Sequence, residues 1–209
     1  MVPAPARFPF SGARRLHGRT APACLALGLL LGCGGTQTST DAPTITSFTP
    51  TSGLVGSTVT VTGTGFSNGI SAVSVGGVEV DSSTGSITSD TKLSFTLPDA
   101  AVTGPITITG TGGTATSGTD FIVEPSITSV SPRTGSASSG TAVTVTGSGL
   151  MGITRVTFGS VEAAITSQTA NKIVTAVPSG AAVGSLQITF TIDTNYNLSN
   201  LLTTFTVTQ

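Results

Sequence analysis

The sequence has no tryptophan, one tyrosine and one histidine, and both of its cysteines lie within the first 33 residues. Each scarcity excludes something. After His17 there is no imidazole, so the rest of the chain cannot build Ser-His or Cys-His nucleophilic sites or histidine-based metal sites. Charge is scarce too, at 8% of residues, and it is unevenly spread. Arg7, Arg14, Arg15 and Arg19 precede Cys33, where no acid occurs, and every Asp and Glu from Asp41 to Asp193 follows it. Beyond Cys33 the cations are Lys92, Arg133, Arg155 and Lys172, which make no basic patch for nucleic acid. No apolar run reaches the roughly 20 residues of a permanent membrane-crossing helix.

What the chain does have is β-branched residues and glycine. Val, Ile and Thr dominate its centre and C-terminal half, and they fit a pleated, half-buried surface. In STVTVTG, Val59 and Val61 alternate with Thr58, Thr60 and Thr62, the period of a strand with one buried face. TPTSG and SPRTG are turn signals, and GPITITG and GSLQITF are strands entered through glycine. Short strands at regular spacing with Gly-rich turns predict an all-β sandwich.

The N-terminus reads differently. A basic region ends at Arg19, and an apolar run, ACLALGLLLG, spans residues 23–32, the pattern of an export signal. Leu30-Leu31-Gly32-Cys33 resembles the lipobox of bacterial lipoproteins. In that family the chain is cut before the cysteine, and its thiol carries a diacylglyceryl group. The resemblance implies residues 1–32 as leader, Cys33 as the lipidation site and Leu30, Leu31 and Gly32 as the cleavage motif. The partner it implies is a membrane, reached through the lipid on Cys33. Several acyl chains anchor stably where one does not. The alternative is an ordinary secretory signal beside a chance cysteine. Cys24 lies inside the run, so cleavage would leave Cys33 without an intramolecular disulfide partner. The context of Arg14-Arg15, GARRLHG, fits twin-arginine export poorly. Gly34 stands where Asp, in the Gram-negative pattern, favours inner-membrane retention, so an outer-membrane destination is favoured. GGTQTSTDA, the nine residues 34–42, reads with Cys33 as a flexible tether reaching on the order of 30 Å.

The remainder repeats. PTITSFTPTSGLVGSTVTVTGTGF opens at Pro43, and PSITSVSPRTGSASSGTAVTVTGSGL opens at Pro125. Ile45 aligns with Ile127, Pro50 with Pro132, Gly53 with Gly135 and, after a two-residue slip, VTVTG at 59–63 with VTVTG at 143–147. VSVGGVEV (73–80) aligns with VTFGSVEA (156–163), Pro98 with Pro178 and Gly104 with Gly184. Each copy closes on an aromatic strand, at Phe121 and Phe205. A repeat of about eighty residues is too long for most solenoids and right for a small sandwich. The pattern I-x-S-hydrophobic-x-P-x-x-G, G-x-x-V-T-V-x-G-x-G-F, V-x-F-G resembles the IPT/TIG family of immunoglobulin-like domains. Val75 and Leu150 replace two of its usual Phe residues. The resemblance implies two tandem immunoglobulin-like β-sandwiches, at 43–124 and 125–209. With no flexible linker at Glu124-Pro125, the copies are expected to lean on each other there.

Candidate chemistry after Ala42 is thin. Glu79 and Asp81 are two apart, hence on one strand face, which does not give a glycosidase its facing acids. DSSTGSITSD (81–90) lacks the acidic density and closing Glu of a calcium loop. GTGFSNG (63–69) has neither the spacing of a phosphate loop nor a following helix. Tyr196, flanked by Asn195 and Asn197 in DTNYNLSN, is a candidate contact for a glycan or protein, where the first copy has GTGGTATSG. The alternative is a polar hairpin tip with Tyr partly packed. The expectation is a non-catalytic envelope lipoprotein without cofactor or metal, used in display, spacing, adhesion or protein interaction. The competing reading is a polysaccharide-binding lipoprotein of a nutrient-capture system.

Overall fold

The computed structural model describes residues 41–192 and 201–209. Strand alternation organises both halves. The first contains β1 (Thr44–Thr49), β2 (Ser52–Leu54), β3 (Thr58–Thr64), β4 (Ile70–Val75), β5 (Val78–Glu79), β6 (Ser86–Ser89), β7 (Lys92–Thr96), β8 (Gly104–Gly110) and β9 (Gly113–Glu124). The second contains β10 (Ser126–Ser131), β11 (Thr134–Ser136), β12 (Ala142–Ser148), β13 (Ile153–Phe158), β14 (Val161–Ala163), β15 (Ile165–Thr169), β16 (Lys172–Ala176), β17 (Gly184–Ile192) and β18 (Leu201–Thr208). Among the described residues two short 3₁₀ turns, Ser82–Thr84 and Leu150–Gly152, interrupt them. No helix among the described residues is long and apolar enough to cross a membrane.

Each half forms a four-stranded and a five-stranded sheet, with the same topology in both. The orders are β1-β3-β7-β6 and β2-β9-β8-β4-β5, then β10-β12-β16-β15 and β11-β18-β17-β13-β14. The expected all-β fold of two tandem immunoglobulin-like sandwiches is what the chain adopts. All pairings are antiparallel except β2 with β9 and β11 with β18. The chain reaches β2 and β11 through cis bonds at Thr49-Pro50 and Ser131-Pro132.

The VTVTG strands show how local pattern becomes packing. Val59 and Val61, like Val143 and Val145, are fully buried, while their threonines face outward. Glycine closes both strands for a steric reason. β1 is bulged between Ile45 and Ser47, which presses the Thr44 carbonyl onto Gly63, where any Cβ would overlap it. The second copy repeats this with the Ser126 carbonyl on Gly147.

The cores are separate. One cluster runs from Phe48 to Val123 and the other from Val130 to Val207. The halves meet across a narrow joint: a Cβ on Gly149 would lie 3.1 Å from the Glu124 carbonyl oxygen and 3.4 Å from Val123 Cγ1. Gly149, at φ 65°, therefore accepts the incoming peptide as Gly65, at φ 78°, accepts Ala42-Pro43.

One alignment changes. Gly104 pairs with Phe121, whereas in the second copy Leu186, not Gly184, pairs with Phe205. Two extra residues precede that point, so β17 is longer than β8. A Cβ on Gly104 would sit 2.7 Å from Gly76 Cα, so two glycines pass there; in the second copy the Leu186 side chain lies over Gly159.

Candidate functional site

The residues expected to carry attachment and contact, Leu30, Leu31, Gly32, Cys33, Asn195, Tyr196 and Asn197, lie outside the described residues. The fold does place the chain on either side of 193–200. β17 ends at Ile192, paired with Ile153, and β18 begins at Leu201, paired with Phe190. This is the end of the second sandwich where Pro125 enters and where Gly149 receives it. At the matching place in the first sandwich the turn is tight: Gly110 pairs with Gly113, and a Cβ on Gly113 (φ 142°) would lie 3.1 Å from Ala42 Cβ.

The loop GTGFSNG is closed by a carboxylate. Asp90 accepts from the backbone N–H groups of Gly65 (3.2 Å) and Ser67 (3.1 Å), and its own carbonyl accepts from Phe66 N–H (3.0 Å). Those bonds, Ser67 foremost, hold the Asp90 carboxyl below the usual carboxylate range. The donors that a phosphate would need are committed to Asp90, so the glycines serve the turn. The second copy ties its loop differently. Gln168 Nε2 donates to the carbonyls of Leu150 (2.7 Å) and Ile153 (2.8 Å), while Leu150 N–H donates to the Ala170 carbonyl.

The acidic stretch from Asp81 to Asp90 resolves into turns. Asp81 is not on a strand, because β5 ends at Glu79, and this corrects the shared strand face expected for the two acids. Asp81 caps the 3₁₀ turn by accepting from Ser83 N–H at 2.9 Å, and that bond lowers its pKa. Glu79 and Asp81 flank Val80, which is 2% exposed and belongs to the core. Among the described residues no three His, Cys, Asp or Glu side chains gather where a metal could bind. Glu124, at the joint, accepts a 2.6 Å bond from the Ser52 hydroxyl, and the exposed side chains of Arg155 on β13 and Glu162 on β14 pair at 3.0 Å.

The outer surface is hydroxyl-rich. Thr109 faces Thr114 at 3.1 Å and Thr44 faces Thr64 at 2.8 Å between side-chain oxygens. All seven phenylalanines after Cys33 are buried, none more than 9% exposed. No aromatic ring among the described residues is therefore offered to solvent. Sequence reasoning missed the Gln168 tie and the Asp90 clamp. In each copy the acceptor or donor is about twenty residues from the loop it closes, and no local spacing marks it.

The model of the IPT/TIG domain matches residues 43–123 and 125–207. Among solved structures, the surface glycan-binding protein PbSGBP-B from Prevotella bryantii is 21% identical; the match covers 76% of this chain and 41% of that one, with a TM-score of 0.50. SGBP-B from a complex xyloglucan utilization locus in Bacteroides uniformis is 22% identical over 73% of this chain and 46% of that one, with a TM-score of 0.33. The plexin A4 extracellular region is 22% identical over 87% of this chain and 20% of that one, with a TM-score of 0.37. This chain spans less than half the length of each of the three. At 21% identity the likeness to the Prevotella protein is one of fold. Among curated proteins, no sequence matches.

Proposed function

The chain belongs to the IPT/TIG domain family, and on that premise we propose that it is a non-catalytic cell-envelope lipoprotein. Residues 1–32 are the leader, Cys33 carries the lipid, 34–42 tether, and the sandwiches at 43–124 and 125–209 stand in series above the membrane. Leu30, Leu31 and Gly32 form the cleavage motif. The outer membrane is the destination, and the role is display, spacing, adhesion or protein interaction. The observation that carries this reading is where the aromatic mass lies: every described Phe is spent on a core, and the outward strand faces are rich in threonine and serine. Such a surface is soluble and rigidly backed. Among the described residues it offers no exposed ring of the kind on which a sugar-binding face stacks.

The test has two parts. Metabolic labelling with a tagged fatty acid should mark the wild-type chain and not Cys33→Ala; equal labelling of both would sink the lipoprotein reading. Protease added to intact cells should then remove the second domain if it stands outside, whereas protection until the envelope is opened would make it periplasmic.

A second reading, a polysaccharide-binding lipoprotein, is favoured by the fold likeness to the Prevotella surface glycan-binding protein. In it, Asn195, Tyr196 and Asn197 make the contact. Glycan-array binding that disappears in Tyr196→Ala would select this reading, and an array without signal would reject it.

A further inference from the structure

We infer that Asn68-Gly69, at the end of the GTGFSNG loop, is a self-modifying site that converts through a cyclic imide. Asn68 is the one asparagine of the chain followed by glycine; Asn171, Asn195, Asn197 and Asn200 precede larger residues. Glycine places no side chain in the path of its own nitrogen when that nitrogen attacks the preceding side-chain amide. The loop supplies the rest. Gly69 is exposed at φ 80°, and its N–H has no acceptor among the described residues. The half-buried Asn68 amide likewise has no hydrogen-bonding partner among them, so it is free to turn toward Gly69. The backbone on either side is held: Asn68 N–H donates to the Gly65 carbonyl at 3.2 Å, and the Asn68 carbonyl accepts from the Thr111 hydroxyl at 2.6 Å. The nucleophilic N–H thus has no acceptor among the described residues to protect it, and the side-chain amide can turn toward it within a fixed frame.

In the reaction the deprotonated Gly69 nitrogen forms a bond to Asn68 Cγ. The Cγ–Nδ2 bond breaks, and the amide leaves as ammonia with the proton that the peptide nitrogen lost. Water then opens one of the two imide C–N bonds. One product is an ordinary aspartyl residue; the other is an isoaspartyl residue, with one more methylene in the main chain. The second product has a structural effect. Thr111 donates its hydroxyl to the Asn68 carbonyl and its N–H to the Gly69 carbonyl at 3.2 Å; in the isoaspartyl product the first of these carbonyls leaves the main chain as a free carboxylate and the chain runs through Cγ, lengthened by one methylene, so the two acceptors lose their fixed spacing. Conversion would therefore release the β8–β9 turn next to Ala42-Pro43, where the chain enters the first sandwich, and add one negative charge. The second copy has Met151-Gly152 at this place and cannot react in this way.

The experiment incubates the folded full chain in ¹⁸O-labelled water, free of added amines, and follows each asparagine by peptide mass spectrometry beside a denaturant-unfolded control. The expected result is one ¹⁸O and an aspartyl–isoaspartyl mixture at position 68, formed faster than any change at Asn171. The rate should rise about tenfold per pH unit, because only the deprotonated nitrogen reacts. Asn68→Gln, which keeps the amide but lengthens the ring to be closed, should abolish the product. An unchanged Asn68 in the folded chain, while the unfolded control converts, would overturn the inference. Conversion at 68 no faster than at Asn171 would do the same.

Discussion

In the first sandwich the rings of Phe48 and Phe95 rise from the four-stranded sheet, while in the second the rings of Phe158 and Phe190 rise from the five-stranded one. The registers match position to position. Val130 stands where Phe48 does and Thr175 where Phe95 does, each opposite an equivalent valine of the VTVTG strand. Conversely, Val75 and Ile108 stand where the second copy has Phe158 and Phe190. The interior of a sandwich needs a filled volume between its sheets and is indifferent to which sheet supplies it. Ring contacts follow the supply. Phe121 meets Phe48 across the core at 6.1 Å, tilted by 47°, whereas Phe205 meets Phe158 within its own sheet at 5.2 Å, edge to face. Where Thr175 replaces a ring it is 1% exposed, and its hydroxyl is satisfied by donating to the Ala164 carbonyl at 2.8 Å.

The largest expected effect breaks this exchange directly. Phe95→Ala should destabilise the first sandwich, and Phe158→Ala the second, each by about 3–5 kcal/mol. With separate cores, each change should leave the other half nearly untouched. Hydrogen exchange read peptide by peptide in the full chain checks it, and equal loosening of both halves would refute the separation. Next is the loop tie peculiar to the second copy. Gln168→Ala strands the Leu150 and Ile153 carbonyls and should cost about 1–3 kcal/mol there.

The corresponding tie in the first copy is ionic, and pH exposes it. Asp90 is held below the ordinary carboxylate value by Ser67 and Gly65, and Asp81 by Ser83. A group whose folded pKa is depressed stabilises the fold above its unfolded value, about 3.9, and loses that contribution as pH falls through the lower folded value. Acid below about pH 4 should therefore weaken the first sandwich through these two groups. The neutral Gln168 gives the second copy no such dependence. Urea midpoints resolved by domain measure it, and Asp90→Asn should flatten the acid limb. Because both groups are exposed, the effect is modest.

The smallest effect should differ in sign between copies. Ser57 Oγ is buried with no hydrogen-bonding partner among the described residues, while the matching Thr141 hydroxyl accepts from Ser136 N–H at 2.9 Å. Ser57→Ala should be neutral or slightly stabilising, and Thr141→Ala should cost about 0.5–1.5 kcal/mol. Thermal unfolding of the two variants compares them.

Much of this architecture is legible in the chain because it is written in short-range pattern. Val-Thr alternation sets the strands, Pro50 and Pro132 set the turns, and the glycine after each VTVT marks where a neighbouring carbonyl presses close. The alignment of Gly104 with Gly184 misled because glycine is a landmark in both copies, whereas the pairing follows which residue faces Phe121 or Phe205. The closing roles of Asp90 and Gln168 depend on contacts between segments distant in sequence, which composition does not reveal. For the attachment and contact residues the balance is reversed. Cys33 and Tyr196 stand out only as sequence, one by its place after Leu-Leu-Gly and the other as the chain's single tyrosine.

The outermost strands of the four-stranded sheets, β1, β6, β10 and β15, each carry a register break one or two residues in. Those of the five-stranded sheets, β2, β5, β11 and β14, run three residues or fewer. Neither kind offers a stranger's backbone a straight ladder long enough to grip. A protein with so little charge to keep its copies apart thus gains, from backbone shape alone, the capacity to stand at high density without polymerising. Crowding it should raise its osmotic pressure and leave its state of association unchanged.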